Sequence, residues 1–316
     1  MTIDRVAPLH RAIYLTGPTA SGKTGVGVAL AQRLGAEVIA MDSMTLYRGM
    51  DIGTAKPTVA ERRGVAHHLI DVLDPWESAS VADYRGRALK TVAEIEGRGQ
   101  RVLFVGGTAL YLKALLRGLF EAPAADRALR ESLEQDYVRL GGAALHARLA
   151  ALDPVTARRL HPNDARRIVR ALEVIATLGS PLSTLQAEHG TPAPASVPVF
   201  AIERPRAELH TRINQRVDQM IRDGLVDEVR GLQAGTQPLG PVAGQGVGYR
   251  EVIEHLEGRL SLEQAVEQIK ARTRQFAKRQ STWFRGLTEV RSEPVARDEG
   301  AEVIADRLAR RIERGN

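Results

Sequence analysis

The chain of 316 residues contains no cysteine. That absence excludes disulfides, thiolate-ligated zinc and a cysteine nucleophile together, and it suits a reducing compartment. Aromatic residues make up only 4%, so a core has to be built on Val, Leu, Ile and Ala. No run approaches the roughly 18 apolar residues of a membrane span, and residues 1–11 hold no apolar stretch of signal-peptide length. A cytoplasmic protein with no membrane contact is the expectation. A guanine-reading Asn-Lys-x-Asp is also missing. The strand best placed to supply the second acid of an ATP-driven motor ends instead in Gly106-Gly107.

What the chain does have begins near its start. Gly17, Pro18, Thr19, Ala20, Ser21, Gly22, Lys23 and Thr24 fit G-x-x-x-x-G-K-[ST]. The apolar run Ala12-Ile13-Tyr14-Leu15 before them reads as a strand. After them Val26, Ala29, Leu30 and Leu34 recur at helical spacing up to a stop at Gly35. In that setting the glycines let backbone N–H groups wrap an anion, Lys23 adds a point charge, and the Thr24 hydroxyl can hold Mg2+. The chain is expected to bind a di- or triphosphate; the loop alone does not say which.

Further apolar runs lie at 37–41, ending at Asp42, and at 101–105, ending at Gly106-Gly107-Thr108. Others lie at 197–202 and 287–290. Helical patterns separate them, at 81–96 and 109–116 among others. This alternation predicts an α/β fold with a parallel sheet, whose ligands gather at the carboxyl ends of the strands. Residues 122–194 break the rhythm with a helical, Ala-, Leu- and Arg-rich pattern between Pro/Ala-rich edges, which predicts a mostly helical insertion domain. A long helix is expected over 206–232, broken at Gly224, and an amphipathic one over 301–311.

Net charge is +6, and it is concentrated. Lys270, Arg272, Arg274, Lys278, Arg279 and Arg285 stand in one acid-free stretch; Arg158, Arg159, Arg166, Arg167 and Arg170 form a second cluster, opposed by Asp164. Such clusters either solvate a helical face or meet a polyanion, and two of them favour the polyanion. Asp42, on the strand after the phosphate loop, stands where small phosphoryl-transfer enzymes keep a carboxylate for the acceptor. A transferase is favoured over a motor. An ATP-dependent metabolite kinase and a nucleotide-gated RNA-binding protein remain open on these grounds.

The residues after Asp42 are Ser43-Met44-Thr45-Leu46-Tyr47-Arg48-Gly49-Met50-Asp51-Ile52-Gly53-Thr54-Ala55-Lys56-Pro57. With the phosphate loop, with His67-His68-Leu69-Ile70-Asp71, Val105-Gly106-Gly107-Thr108 and His161-Pro162-Asn163-Asp164, and with Val247-Gly248-Tyr249-Arg250 and residues 274–285, this closely resembles the tRNA dimethylallyltransferases. The agreement runs in one order from about residue 12 to 286. The resemblance implies a P-loop-type parallel sheet flanked by helices, whose helical insertion grips a tRNA anticodon stem-loop. It implies transfer of a dimethylallyl group from dimethylallyl diphosphate to N6 of the adenosine 3′-adjacent to the anticodon, with Mg2+ as cofactor. A monomer suffices to hold one stem-loop.

On the same basis Asp42 accepts the amine proton, while Lys23, Thr24, Thr108 and Arg216 serve the departing diphosphate; Arg212, one turn from Arg216, competes for its role. The tRNA contacts are expected at Asp42, Ser43, Met44 and Thr45, and at Arg166, Arg167, Ile168, Val169 and Arg170. They continue at Gly246, Val247, Gly248, Tyr249 and Arg250, and at Lys278, Arg279, Gln280 and Arg285. Trp283, next to Phe284, is expected in the core, and His67 and His68 are expected to be structural.

Overall fold

The computed structural model, which describes residues 7–119, 126–187 and 191–315, turns the aliphatic runs into strands of one parallel sheet. These are β1 (Ile13–Thr16), β2 (Ala36–Ala40), β3 (His67–His68), β4 (Arg101–Val105), β5 (Val199–Glu203) and β6 (Arg291–Pro294). Among the described residues their order is β3-β2-β4-β1-β5-β6. Tyr14 lies opposite both Phe104 and Val199, so β1 is flanked on each side. Successive side chains of a strand face opposite ways. Tyr14, Phe104 and Val199 therefore enter one core, while Ile13, Leu15, Leu103 and Phe200 enter the other.

Helices cover both faces. On the first lie Val81–Gly97, through Tyr84, Ala88, Val92 and Ile95, and Ala109–Arg117, through Leu112 and Leu115. Val81–Gly97 starts where it does because Ser80 and Asp83 satisfy each other's backbone N–H groups in a capping box. On the second face lie Lys23–Leu34 and Ala301–Glu313, which bury Val26, Ala29 and Leu30 with Ile304, Ala305 and Leu308. Arg33 links the two helices by ion pairs to Glu302 and Asp306. The last helix thus closes the second core.

Three sequence expectations change. The apolar residues 287–290 are not a strand: Leu287 and Val290 donate to the Phe284 and Leu287 carbonyls in turns at a helix end, and β6 begins one residue later. Leu287 is apolar because it is buried, not because it is extended. The two-residue strand His67–His68 is an addition, too short to show a period in the sequence. Trp283 is 46% exposed while Phe284 is buried. Neighbours on a helix point about 100° apart, so Phe284 can face the core while Trp283 at the edge of that face meets solvent. The helix predicted over 206–232 does break at Gly224 (φ 98°), into Arg206–Arg222 and Leu225–Gln233.

The chain divides into two units, Met1–Leu116 with Ala193–Asn316, and Arg117–Pro192. The first Pro/Ala-rich edge, at 122–125, lies outside the described residues. The smaller unit is helical, with a core of Leu133, Leu145, Leu149, Ile168, Ala171 and Leu172. Ile168 and Val169, expected at an RNA surface, are buried in it because they occupy the apolar face of Ala165–Leu178. Its buried Glu173 pairs with Arg130 at 2.8 Å and Arg170 at 3.0 Å. Arg170 is therefore committed within its own unit.

Among the glycines of the larger unit the tightest is Gly106, where a Cβ would sit 2.0 Å from the Met41 carbonyl oxygen. Gly106→Ala is expected to lower stability by about 2–4 kcal/mol. Gly99→Ala, at φ +72° but with nothing within 4 Å, should cost only about 1–2 kcal/mol. Urea unfolding midpoints check the difference; equal losses would contradict the close approach.

Candidate active site

The loop after β1 turns sharply at Gly17 (φ +145°), where a Cβ would meet the Ile202 carbonyl oxygen at 2.8 Å, and again at Gly22 (φ +95°). Side chains from distant parts of the same unit hold it. Arg204 Nε donates to the Ser21 carbonyl at 2.7 Å and Arg212 Nε to the Ala20 carbonyl at 2.8 Å. The Thr19 N–H donates to Gln280 Oε1 at 2.8 Å, and Gln280 Nε2 donates to the Gly107 carbonyl at 2.8 Å.

Beside the loop is a cleft of about 320 Å3. Lys23, Thr24, Asp42 and Arg216 bring polar groups to it, and Ile213, Val217, Met220, Ile269 and Phe276 form an apolar wall. Burial pushes the Lys23 ammonium down to about 8, with Arg216 adding to the shift and Asp42 opposing it. Burial raises the Asp42 carboxyl, opposed by the Met44 N–H and by Lys23. Arg216 is likewise lowered by burial and by neighbouring Arg212. A cation and an anion, each made less comfortable in its charged form, share one small space. Such a site rewards a ligand that brings compensating charge.

Arg212 and Arg216 differ in their surroundings. Arg212 is occupied by the loop's carbonyl, whereas Arg216 lines the cleft. Asp42 Oδ1 accepts the Met44 N–H at 3.0 Å, and Thr45 Oγ1 donates to the Asp42 carbonyl at 3.3 Å. Thr108 stands behind this turn. Its hydroxyl oxygen accepts the Ser43 N–H at 3.0 Å, leaving its own proton to donate.

Of the remaining expected RNA contacts in the larger unit, several are internal. The Tyr249 ring is buried and its hydroxyl donates to Glu228 at 2.6 Å. Gln280 is buried on the loop. Gly246, Val247 and Gly248 line the cleft with Met44 and Thr45, and Arg250 is exposed, paired to Glu254 at 2.9 Å. The acid-free basic stretch also divides. Lys270 bridges Asp218 and Glu267, Arg272 pairs with buried Glu251, and Arg274 donates to Asn214. Lys278, Arg279 and Arg285 stay exposed, Arg285 with only a 3.6 Å approach to Glu203. Arg166 and Arg167 are exposed on the smaller unit, Arg167 paired to Asp164.

Glu228 is the residue that sequence reasoning missed most completely. Its carboxylate accepts the N–H groups of Asp51, Ile52 and Gly53 at 2.9, 2.7 and 3.1 Å, as well as the Tyr249 hydroxyl. It thereby anchors the segment that follows Asp42 to the loop that faces it. Its spacing of about 175 residues from its backbone partners carries no local signal. His67, which also lines the cleft, bonds the Val65 carbonyl, and His68 bonds Glu37 at 2.6 Å.

Among the described residues there is no group of three or more His, Cys, Asp or Glu side chains able to hold a metal. The hydroxyl of Thr24 at the start of a helix, with Asp42 on the same cleft, suits an ion that is held largely by phosphate oxygens. In proteins generally, Mg2+ bound to phosphates keeps few protein ligands.

A family model described as IPP transferase matches residues 45–287. The chain is 49% identical over 281 residues to a tRNA dimethylallyltransferase of Geobacter metallireducens, covering 89% of this chain and 91% of that one. It is 51% identical over 283 residues to one from Bordetella pertussis, covering 88% and 90%. Two solved structures share the fold. A full-length tRNA isopentenylpyrophosphate transferase of Bacillus halodurans has a TM-score of 0.69 at 39% identity, covering 97% of this chain and 98% of that one. A eukaryotic dimethylallyltransferase acting on tRNA has a TM-score of 0.75 at 27% identity, covering 89% and 73%. The likeness extends over nearly the whole chain, and this chain belongs to the IPP transferase family.

Proposed function

We propose that this protein transfers a dimethylallyl group from dimethylallyl diphosphate to N6 of the adenosine 3′-adjacent to the anticodon of tRNA, releasing diphosphate. The observation that carries the reading is the composition of one cleft, which sets a phosphate loop and two cations beside an apolar wall and a half-buried carboxylate. A phosphate loop alone would suit a nucleotide. The wall of Ile213, Val217 and Met220 gives a short hydrocarbon chain a place next to the diphosphate. The family and its named relatives support the same reading.

The exocyclic amine of adenine is a poor nucleophile because its lone pair is delocalised into the ring. Asp42, made more basic by burial, accepts a hydrogen bond from that amine and takes its proton as the C–N bond forms. As the allylic C–O bond breaks, negative charge builds on the diphosphate. Loop N–H groups, Lys23 and Arg216 stabilise that charge more in the transition state than before it. Thr108, whose hydroxyl oxygen accepts the Ser43 N–H, keeps a proton to donate. Mg2+, for which the Thr24 hydroxyl would be a ligand, would add charge neutralisation. Reaching a stacked base requires its extrusion, and residues 42–45 with 246–248 line the place it would occupy. Exposed Lys278, Arg279 and Arg285, with Arg166 and Arg167 on the smaller unit, neutralise phosphates.

Incubation with dimethylallyl diphosphate, magnesium and an anticodon stem-loop should yield prenylated adenosine. Asp42→Ala should reduce the rate by about 10²–10⁴-fold with stem-loop affinity retained. ATP turnover stimulated by a small acceptor, with no prenylated product, would favour a kinase instead.

The pH profile of kcat/KM for the donor should have two limbs. Activity falls below the raised pKa of Asp42 as the base is protonated, and falls above about 8 as Lys23 loses its charge. In kcat the alkaline limb should move upward, because bound diphosphate holds the ammonium charged. Lys23→Arg should remove the limb near 8 from kcat/KM; its persistence would assign that limb elsewhere.

Charge reversal of Lys278 and Arg279 together should weaken stem-loop binding and leave donor affinity unchanged. The salt slope should fall by roughly one unit for each phosphate that is no longer neutralised. An unchanged slope would remove this surface from the RNA interface.

A further inference from the structure

Gln280 is 5% exposed, and its one amide group joins two strand ends. Its Oε1 accepts the N–H of Thr19 in the phosphate loop, and its Nε2 donates to the carbonyl of Gly107 after β4, both at 2.8 Å. A carboxamide is the side chain that offers an acceptor and a donor in one plane. The seat is close-fitting, since a Cβ on Gly107 would lie 2.5 Å from Nε2. On the same helix, Leu262–Arg285, Lys278 and Arg279 immediately precede it and are exposed.

We propose that Gln280 is a positioning residue for the diphosphate. By taking the Thr19 N–H it sets the rotation of the loop, in which the Ser21 N–H is held by the Pro18 carbonyl, so that the loop N–H groups left over face the anion. By holding Gly107 it fixes the same frame to Thr108, whose hydroxyl in turn carries the Ser43 amide beside Asp42. Donor-side and acceptor-side groups are thereby referred to one side chain, on a helix whose outer face carries exposed cations. The inference rests on the functional reading above for the identity of the anion. A misplacement of the loop by about 1 Å is enough to cost on the order of 10²-fold in rate, so the effect belongs in diphosphate affinity and turnover rather than in RNA affinity.

Gln280→Glu tests it, because a carboxylate still accepts from Thr19 but opposes the Gly107 carbonyl. Inorganic diphosphate with magnesium is titrated calorimetrically, the stem-loop by fluorescence anisotropy, and transfer is followed at saturating RNA. The variant should bind diphosphate about tenfold more weakly and lose at least about tenfold in kcat, with stem-loop affinity within about twofold. Its deficit relative to the unsubstituted protein should narrow as pH falls, because the protonated carboxyl can again donate to Gly107. Gln280→Ala, which removes both bonds without adding charge, should show a similar deficit that does not narrow. Unchanged diphosphate affinity and kcat in both variants would overturn the proposal. So would parallel losses of diphosphate and RNA affinity with no pH dependence, which mark a general structural role. Should the unsubstituted protein bind diphosphate but transfer no dimethylallyl group, the functional reading falls, and the diphosphate titration still decides the role of Gln280.

Discussion

Arg204 holds the Ser21 carbonyl and Arg212 the Ala20 carbonyl of a loop whose own N–H groups have to stay available. A loop built to wrap an anion can spend few of those amides on itself, here the Ser21 N–H on the Pro18 carbonyl, so further rigidity comes from outside. Two guanidinium groups on carbonyls and one carboxamide on Thr19 supply it. The arrangement has an electrostatic side as well. Arg204 is compensated by Glu208 at 2.7 Å. Burial disfavours the charge on Arg212 and on Arg216, and each is further lowered by a neighbour, Arg204 for the first and Arg212 for the second. The neighbourhood stays cationic, and Lys23 is left short of solvation until an anion arrives.

Around that loop the sheet order does the positioning. β1 sits between β4 and β5, so its carboxyl end has the ends of β4 and β5 at its sides. Gly106 lets the chain after β4 press against Met41, and Met41 leads directly to Asp42. The glycines at 106 and 107 are thus steric permissions: one admits a backbone, the other a side-chain amide. Glu228 completes the frame from the opposite direction by gathering the amides at 51–53, which lie outside any strand or helix.

How much of this is legible in the sequence follows from the range of the interaction concerned. The phosphate loop, the strand before it and the helix after it are contiguous, and periodicity shows them. The break at Gly224 is legible for the same reason. Arg204, Arg212, Glu228 and Gln280 act across 175 to 261 residues in several of their bonds, and nothing local marks them. Where composition misleads, the cause is also physical. Leu287 is apolar for burial at a helix end, and Trp283 sits on the wet side of a helix whose next residue is the buried one. The basic stretch 270–285 reads as one patch in sequence, yet half of its basic side chains are engaged internally, Lys270 and Arg272 by carboxylates and Arg274 by the Asn214 amide.

The dispersal of the loop's supports has a consequence for how the protein is made. During synthesis, at about 5–20 residues per second, residues 17–24 leave the ribosome early, whereas Arg204, Arg212 and Gln280 follow only after some two hundred further residues. The nascent chain carries its anion-binding motif for many seconds without the side chains that shape it. Until Arg204, Arg212 and Gln280 dock, the loop lacks the three side chains that hold it in the folded protein. Assembly of the site is in this way tied to completion of the fold.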